Sequence, residues 1–200
     1  MKQEKTTQAT VQENNFSFFD YAEMFVFAAI LVVLVLMFCC RTCVVSGPSM
    51  NKTLKDGELL VVSDLFYTPA CGDIIVFHQT SDIDDRFNEP IVKRVIAVGG
   101  QHVKIDYENN KVFVSDDDVF EESELLDESK YAYFGNPAGE WRESLKGVSG
   151  ATWEVPEGSL FVLGDNRNDS ADSRDARVSF VDERRVLGKV LFRIVPFSTF

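Results

Sequence analysis

The sequence predicts a mainly β domain carried behind one apolar N-terminal helix, and three observations lead to that fold class. A 17-residue stretch without a charge, Met24–Cys40, stands near the N-terminus. After it come short runs rich in Val, Ile, Leu and Phe, most of them separated by turn residues. No long segment beyond Cys40 shows helical periodicity. With 200 residues the chain has room for one anchored domain with a sizeable core.

As a helix, Met24–Cys40 spans ~26 Å, near the lower limit for crossing a bilayer core. Glu23 and Arg41 bracket it, and Phe16, Phe18, Phe19 and Tyr21 precede it at interfacial positions. The run is long for a cleaved signal peptide, and Cys-Cys-Arg-Thr-Cys follows it rather than a small-residue cleavage site. An uncleaved anchor is therefore expected, with a tail over 1–22, the anchor over 23–41 and a β-rich domain over 42–200. Lys2 and Lys5 on one side balance Arg41, Lys52 and Lys55 on the other, so charge bias leaves the orientation open.

The expected strands are 58–63, 73–78, 91–98, 102–105, 111–115, 159–163 and 188–195. Lys55-Asp-Gly57, Thr68 to Gly72, Gly99-Gly100 and Asn109-Asn110 supply turn chemistry between them, the last of these suggesting a hairpin. An acidic insertion is expected over about 106–155, lid-like from about 116 to 152 and Gly-rich in its second half. No internal repeat is present.

The net charge is -12, and from Asp106 to Lys130 ten acidic residues face two lysines. Such a chain lacks the basic face that nucleic-acid binding needs. The acidic run reads most simply as a solvated surface segment. The cysteines, Cys39, Cys40, Cys43 and Cys71, do not form a disulfide framework, and Cys40-Arg-Thr-Cys43 has no second pair to complete a zinc site. His78 and His102 are the only histidines and read as structural.

Four segments carry candidate chemistry. In Ser46-Gly-Pro-Ser-Met50, Gly47 and Pro48 form a corner that could present both the Ser49 hydroxyl and its N–H, as a nucleophile requires; an ordinary loop fits the same residues. If Ile91–Ile96 is a strand, Lys93 shares a face with Ile91 and Val95 while Arg94 points the other way. A lysine desolvated in that manner loses basicity and can take a proton from a serine; a snorkelling lysine on an edge strand is the alternative. The third segment is Gly164-Asp-Asn-Arg-Asn-Asp-Ser-Ala-Asp-Ser-Arg174, whose Ser170, Asp172 and Arg174 could support a site. A calcium loop is the rival there, opposed by the interleaved Arg167, Arg174 and Arg177. Cys71-Gly-Asp-Ile74 reads as a turn launching a core strand. Neither a Gly-x-Ser-x-Gly elbow nor a His-Glu-x-x-His helix is present.

The order and wording of these segments, from anchor through Ser49-Met50, Gly72-Asp-Ile, Lys93-Arg94 and Gly164-Asp-Asn-Arg167, resemble the bacterial type I signal peptidases of the smaller, single-anchor Gram-positive type. The resemblance runs from about residue 20 to 195. It implies an antiparallel β catalytic domain with an inserted subdomain, and a membrane serine endopeptidase that removes signal peptides after small residues at -3 and -1. It implies Ser49 as nucleophile, Lys93 as general base, Ser170 as the residue orienting the lysine, and Asp172 with Arg174 as a supporting ion pair. Val45, Met50, Leu54, Ile91 and Val92 match positions lining the -1 and -3 pockets. No metal or cofactor is implied. The implied partners are preproteins, the lipid bilayer and the secretion translocon, with the catalytic domain on the extracytoplasmic side.

Three departures from the family pattern stand out. Lys52 replaces a Pro before Thr53-Leu54, Val98-Gly-Gly-Gln101 replaces a Pro-Gly-Asp turn, and Gly47 stands where some members carry a second oxyanion-binding Ser. None removes a catalytic group. The alternatives to a peptidase are a non-catalytic anchored β-domain, which would be expected to lack Ser49 or Lys93, and a self-cleaving Ser-Lys regulator, which would carry a DNA-binding head.

Overall fold

A computed structural model describes residues 18–79, 89–135 and 151–199. The chain divides into one unit through Phe38 and a second from Cys39.

The first unit holds helix α1, Phe18–Cys39, 22 residues long. That length spans ~33 Å, enough for the ~30 Å hydrocarbon core of a bilayer. The helix starts earlier than the charge-free run, because Phe18, Phe19, Asp20 and Tyr21 continue the helical turn. Its large apolar side chains, from Phe18 to Val35, stand exposed. By length and composition it can cross a membrane. The tail expected over 1–22 falls mostly outside the described residues.

The second unit is built on antiparallel strands. In chain order they are β1 (Arg41–Val44), β2 (Leu59–Ser63), β3 (Ile74–His78), β4 (Pro90–Val98), β5 (His102–Asp106), β6 (Lys111–Ser115), β7 (Ala151–Glu154), β8 (Ser159–Leu163), β9 (Val181–Asp182), β10 (Val186–Arg193) and β11 (Ser198–Thr199). The larger sheet runs β1-β2-β10-β3-β4-β8-β9, with β11 beside β10, and the smaller runs β6-β5-β7. All seven expected strands form, within one or two residues of the expected ends. Strands β1, β7, β9 and β11 were not expected, since none is a strong apolar run. Strand β1 exists because Arg41–Val44 find partners in Leu59–Val62.

The hairpin at Asn109-Asn110 joins β5 to β6, with Asp106 opposite Lys111. Asp106 accepts the N–H groups of Glu108 and Asn109, and Asn110 takes a left-handed φ of 55° that Asn tolerates. Strand β10 shifts register against both neighbours. Such bulges bend a sheet. Gly188 permits one of them: at φ 145° a Cβ there would lie 2.6 Å from the Ser63 carbonyl.

Among the described residues three apolar clusters make the core. Ile96, Phe161 and Leu163 meet Val103, Ile105 and Val112 of the small sheet. Val45, Met50, Leu54 and Val92 pack with Leu60, Val62 and Ile74. Ile75, Phe77, Leu160 and Val162 form the third with Val178 and Val181. The second and third clusters lie on opposite faces of β3 and β4, so alternate residues of Ile74–Phe77 serve each. Of the acidic insertion, residues 136–150 lie outside the described part.

Candidate active site

The Ser49 turn leaves β1 through Val45, which is tied to β2's entry by Val45 N–H to Glu58 O and Gly57 N–H to Val45 O, both 2.9 Å. Gly47 has φ +87°, a conformation costly for other residues, and its N–H donates to Asp56 Oδ1 at 2.8 Å. The turn then closes with Asn51 N–H on Pro48 O and Leu54 N–H on Met50 O. The Ser49 N–H makes no hydrogen bond among the described residues.

Lys93 arrives from the middle of β4, opposite Ile75. Its Nζ lies 2.8 Å from Ser49 Oγ and 2.9 Å from Val92 O. At 3% exposure the side chain is almost wholly removed from water. That burial lowers its pKa from 10.5 to about 8, with Asp172 and Asp165 pulling the other way. The alternation expected in the sequence is realised: Arg94 leaves the opposite face. There its Nε and Nη2 grip Asp165 at 2.8 and 2.7 Å, and its Nη1 donates to Gly72 O at 2.7 Å. Asp165, fully buried, also accepts Thr53 Oγ1 at 2.5 Å.

The polar loop after β8 supports the turn from beneath. Asn166 donates its N–H to Ser49 O at 2.9 Å and its Nδ2 to Pro48 O at 3.1 Å. Asp172 accepts the Gly164 N–H at 3.0 Å and both Nε and Nη2 of Arg174 at 2.8 Å. Burial works to raise the Asp172 carboxyl, but the Arg174 charge and these hydrogen bonds outweigh it and hold the group below its usual range. The Asp165 and Asp172 carboxylates, which a calcium ion would need, are thus each paired with an arginine. Ser170 Oγ is buried beside the Asp172 carboxylate, which it helps to keep ionised, and no hydrogen bond joins it to Lys93.

Gly164 is where the loop and the Ser49 turn touch. A Cβ there would fall 2.2 Å from Ser170 Oγ and 2.6 Å from Ser49 O. Gly164→Ala is therefore expected to destabilise the chain by roughly 1–3 kcal/mol and to lower kcat more than KM. Urea midpoints and steady-state kinetics check both, and an unchanged kcat would show that the contact relaxes without moving Ser49.

Two clefts meet at Ser49. The wider, about 360 Å³, has Ser49, Lys93 and Ile91 on its walls and is bounded by Ala171 and Arg177. The narrower, about 140 Å³, is lined by Val45, Met50, Ile91 and Val92. Of the residues expected to line pockets, Leu54 lies elsewhere: it is fully buried in the cluster behind Met50 and walls neither cleft. Neither His78 nor His102 reaches a cleft. The Arg94–Asp165 pair went unnoticed in the sequence. Its signal was there, since an arginine forced onto the face opposite Lys93 demands a buried acid.

Residues 18–195 match the family described as signal peptidase, peptidase S26. Signal peptidase I of Bacillus caldolyticus is 39% identical over 178 residues, covering 87% of this chain and 90% of that one. A probable signal peptidase I-1 of Synechocystis is 33% identical, with 86% and 79% covered. Signal peptidase IB of Staphylococcus aureus is 34% identical over 78% of each chain. These relatives do not favour a non-catalytic domain. With a matching profile over nearly its whole length and peptidase relatives at this identity, the chain belongs to the signal peptidase family, peptidase S26, and is a serine peptidase of the bacterial type I kind.

Proposed function

We propose that this chain removes signal peptides from preproteins, with Ser49 as nucleophile and Lys93 as general base. The 2.8 Å contact between Lys93 Nζ and Ser49 Oγ carries the assignment. A lysine buried this deeply is neutral in an appreciable fraction near pH 8, which a base must be.

Neutral Lys93 takes the Ser49 proton as Oγ attacks the carbonyl carbon of the -1 residue. The oxyanion is received by the Ser49 N–H, which has no competing partner among the described residues; the Gly47 N–H is committed to Asp56. A good donor of this kind contributes roughly 3 kcal/mol. The Lys93 ammonium then protonates the departing amine as the C–N bond breaks. Water, deprotonated by Lys93, hydrolyses the acyl-enzyme. Asp172 with Arg174 and the buried Ser170 hold the floor of the site.

The substrate is taken as an extended strand. Among the described residues strand β1 has no partner on its outer edge, and β4 pairs with β8 only from Arg94 onward, which leaves one edge of Pro90–Lys93 without a described partner. A peptide laid beside these edges meets the narrow cleft, where Val45, Met50, Ile91 and Val92 stand beside Ser49 and Lys93 and whose size suits Ala-like side chains at -1 and -3. Helix α1 would hold the domain at a bilayer surface as a single-pass anchor, on the extracytoplasmic side where preproteins emerge from the translocon. Only eight residues separate Cys40 from Ser49, which suits a bond cut near the membrane.

The test is cleavage of an Ala-X-Ala preprotein by the full chain in detergent. Ser49→Ala is expected to lose at least about 10⁴-fold in kcat with its fold intact. Cleavage surviving in that variant would remove Ser49 from the reaction.

A further inference from the structure

Most of the acidic run from Asp106 to Lys130 is exposed, but Glu128 turns inward. Both of its carboxylate oxygens accept hydrogen bonds from Arg167, whose side chain is wholly buried; Arg167 Nη1 reaches Glu128 Oε2 at 2.7 Å and Nη2 bonds Oε1. Three residues on, the Tyr131 ring lies 4.0 Å under the Arg94 guanidinium and 5.9 Å from that of Arg167. The backbone then runs parallel to the polar loop. Tyr133 N–H donates to Asp165 O and Arg167 N–H to Tyr133 O, both at 2.7 Å. Asn168 Nδ2 donates to Phe134 O at 2.6 Å. Residues 128–134 thus form a strap bonded along the loop that also grips Pro48 and Ser49 through Asn166.

The geometry points to Glu128 and Tyr131 as positioning residues for the nucleophile, acting through Arg167, Arg94 and the Gly164–Asn168 loop. This rests on Ser49 being the nucleophile. The physical reason is that two buried arginines, Arg94 on β4 and Arg167 in the loop itself, each face a carboxylate partner. Asp165 neutralises Arg94 from within the loop, and Glu128 neutralises Arg167 from the strap. With either carboxylate gone, a buried guanidinium must move toward water. The backbone of Asp165 to Asn168 moves with it, and Asn166 is one hydrogen bond from Ser49. Neither Glu128 nor Tyr131 lines the clefts that would hold the -1 and -3 side chains. The strap therefore acts on the rate of attack and not on substrate affinity.

The experiment uses the full chain in detergent with an Ala-X-Ala preprotein. Glu128→Gln and Tyr131→Leu are each expected to lower kcat by about 10- to 100-fold, the size of a sub-ångström misplacement, while KM stays within about twofold. Glu128→Gln combined with Arg167→Gln removes the stranded charge and is expected to recover most of the loss in kcat. Hydrogen–deuterium exchange over 163–170 is expected to speed up in Glu128→Gln and to slow again in the pair. A rise in KM with kcat unchanged would make the strap part of the substrate site and overturn the proposal. A lower melting temperature with kcat unchanged would reduce it to plain scaffolding and overturn it too. If the wild type cuts no preprotein, the peptidase reading fails, yet the exchange comparison still decides: unchanged exchange in Glu128→Gln sinks the coupling of strap to loop.

Discussion

Lys93→Met is expected to abolish preprotein cleavage and to make the folded chain more stable. Both effects come from one burial. At 3% exposure the ammonium has lost nearly all its hydration, and its pKa falls from 10.5 to about 8. Below pH 8 the lysine is protonated in the folded and the unfolded chain alike, and the folded chain carries a buried charge that costs about 3 kcal/mol. Between pH 8 and 10.5 the unfolded chain holds a proton that the folded chain has released, so wild-type stability rises with pH across that window. The Met variant keeps the packing and lacks the charge. It is expected to unfold at higher denaturant near pH 7 and to lose the rise between pH 8 and 10.5.

Activity follows the same titration with the opposite benefit. Since the base must be neutral, wild-type kcat/KM is expected to climb about tenfold per pH unit below 8 and to level off above it. Lys93→Arg, which stays protonated, is expected to be as inactive as Lys93→Met. A pH profile flat between 6 and 9, or an active Lys93→Arg, would place the base elsewhere.

Removing one member of the Arg94–Asp165 pair is expected to have the largest effect on stability. Asp165 is fully buried, and it holds Arg94 bidentately. Asp165→Leu strands a guanidinium in the interior, and Arg94→Met strands a carboxylate. Each is expected to cost about 3–5 kcal/mol, while the double variant recovers most of it because two apolar side chains need no compensation. Denaturant midpoints of the four proteins, measured in one detergent, form the cycle. Single variants within about 1 kcal/mol of wild type would mean that water reaches the pair and solvates whichever charge is left. Activity is expected to fall in both singles, because Asp165 shares its loop with Asn166, the residue bonded to Ser49 O.

Much of the β architecture could be read along the chain. Runs such as Ile74–Phe77 and Leu160–Val162 announce strands because residues buried on both faces must all be apolar. Strand β1, Arg-Thr-Cys-Val, announces nothing, and it becomes a strand by finding Leu59–Val62 beside it. Leu54 resembled a pocket residue, but the hydrogen bond from its N–H to Met50 O directs the turn inward and places its side chain in the core. Lys52, standing where a Pro was expected, lies with Nζ 4.7 Å from the Tyr133 ring centre.

The sequence alone determined the apolar helix, the β class, and the presentation of Lys93 and Arg94 on opposite faces. Each of these is a local consequence of residue type and period. Only the tertiary structure decided what those residues meet. Lys93 meets Ser49 across 44 positions, Arg94 meets Asp165 across 71, and Arg167 meets Glu128 across 39. Periodicity records which side of a strand faces the interior. The partner on that side is set by sheet order and register, which bring Arg94 opposite Leu163 and so carry the polar loop beneath the nucleophile.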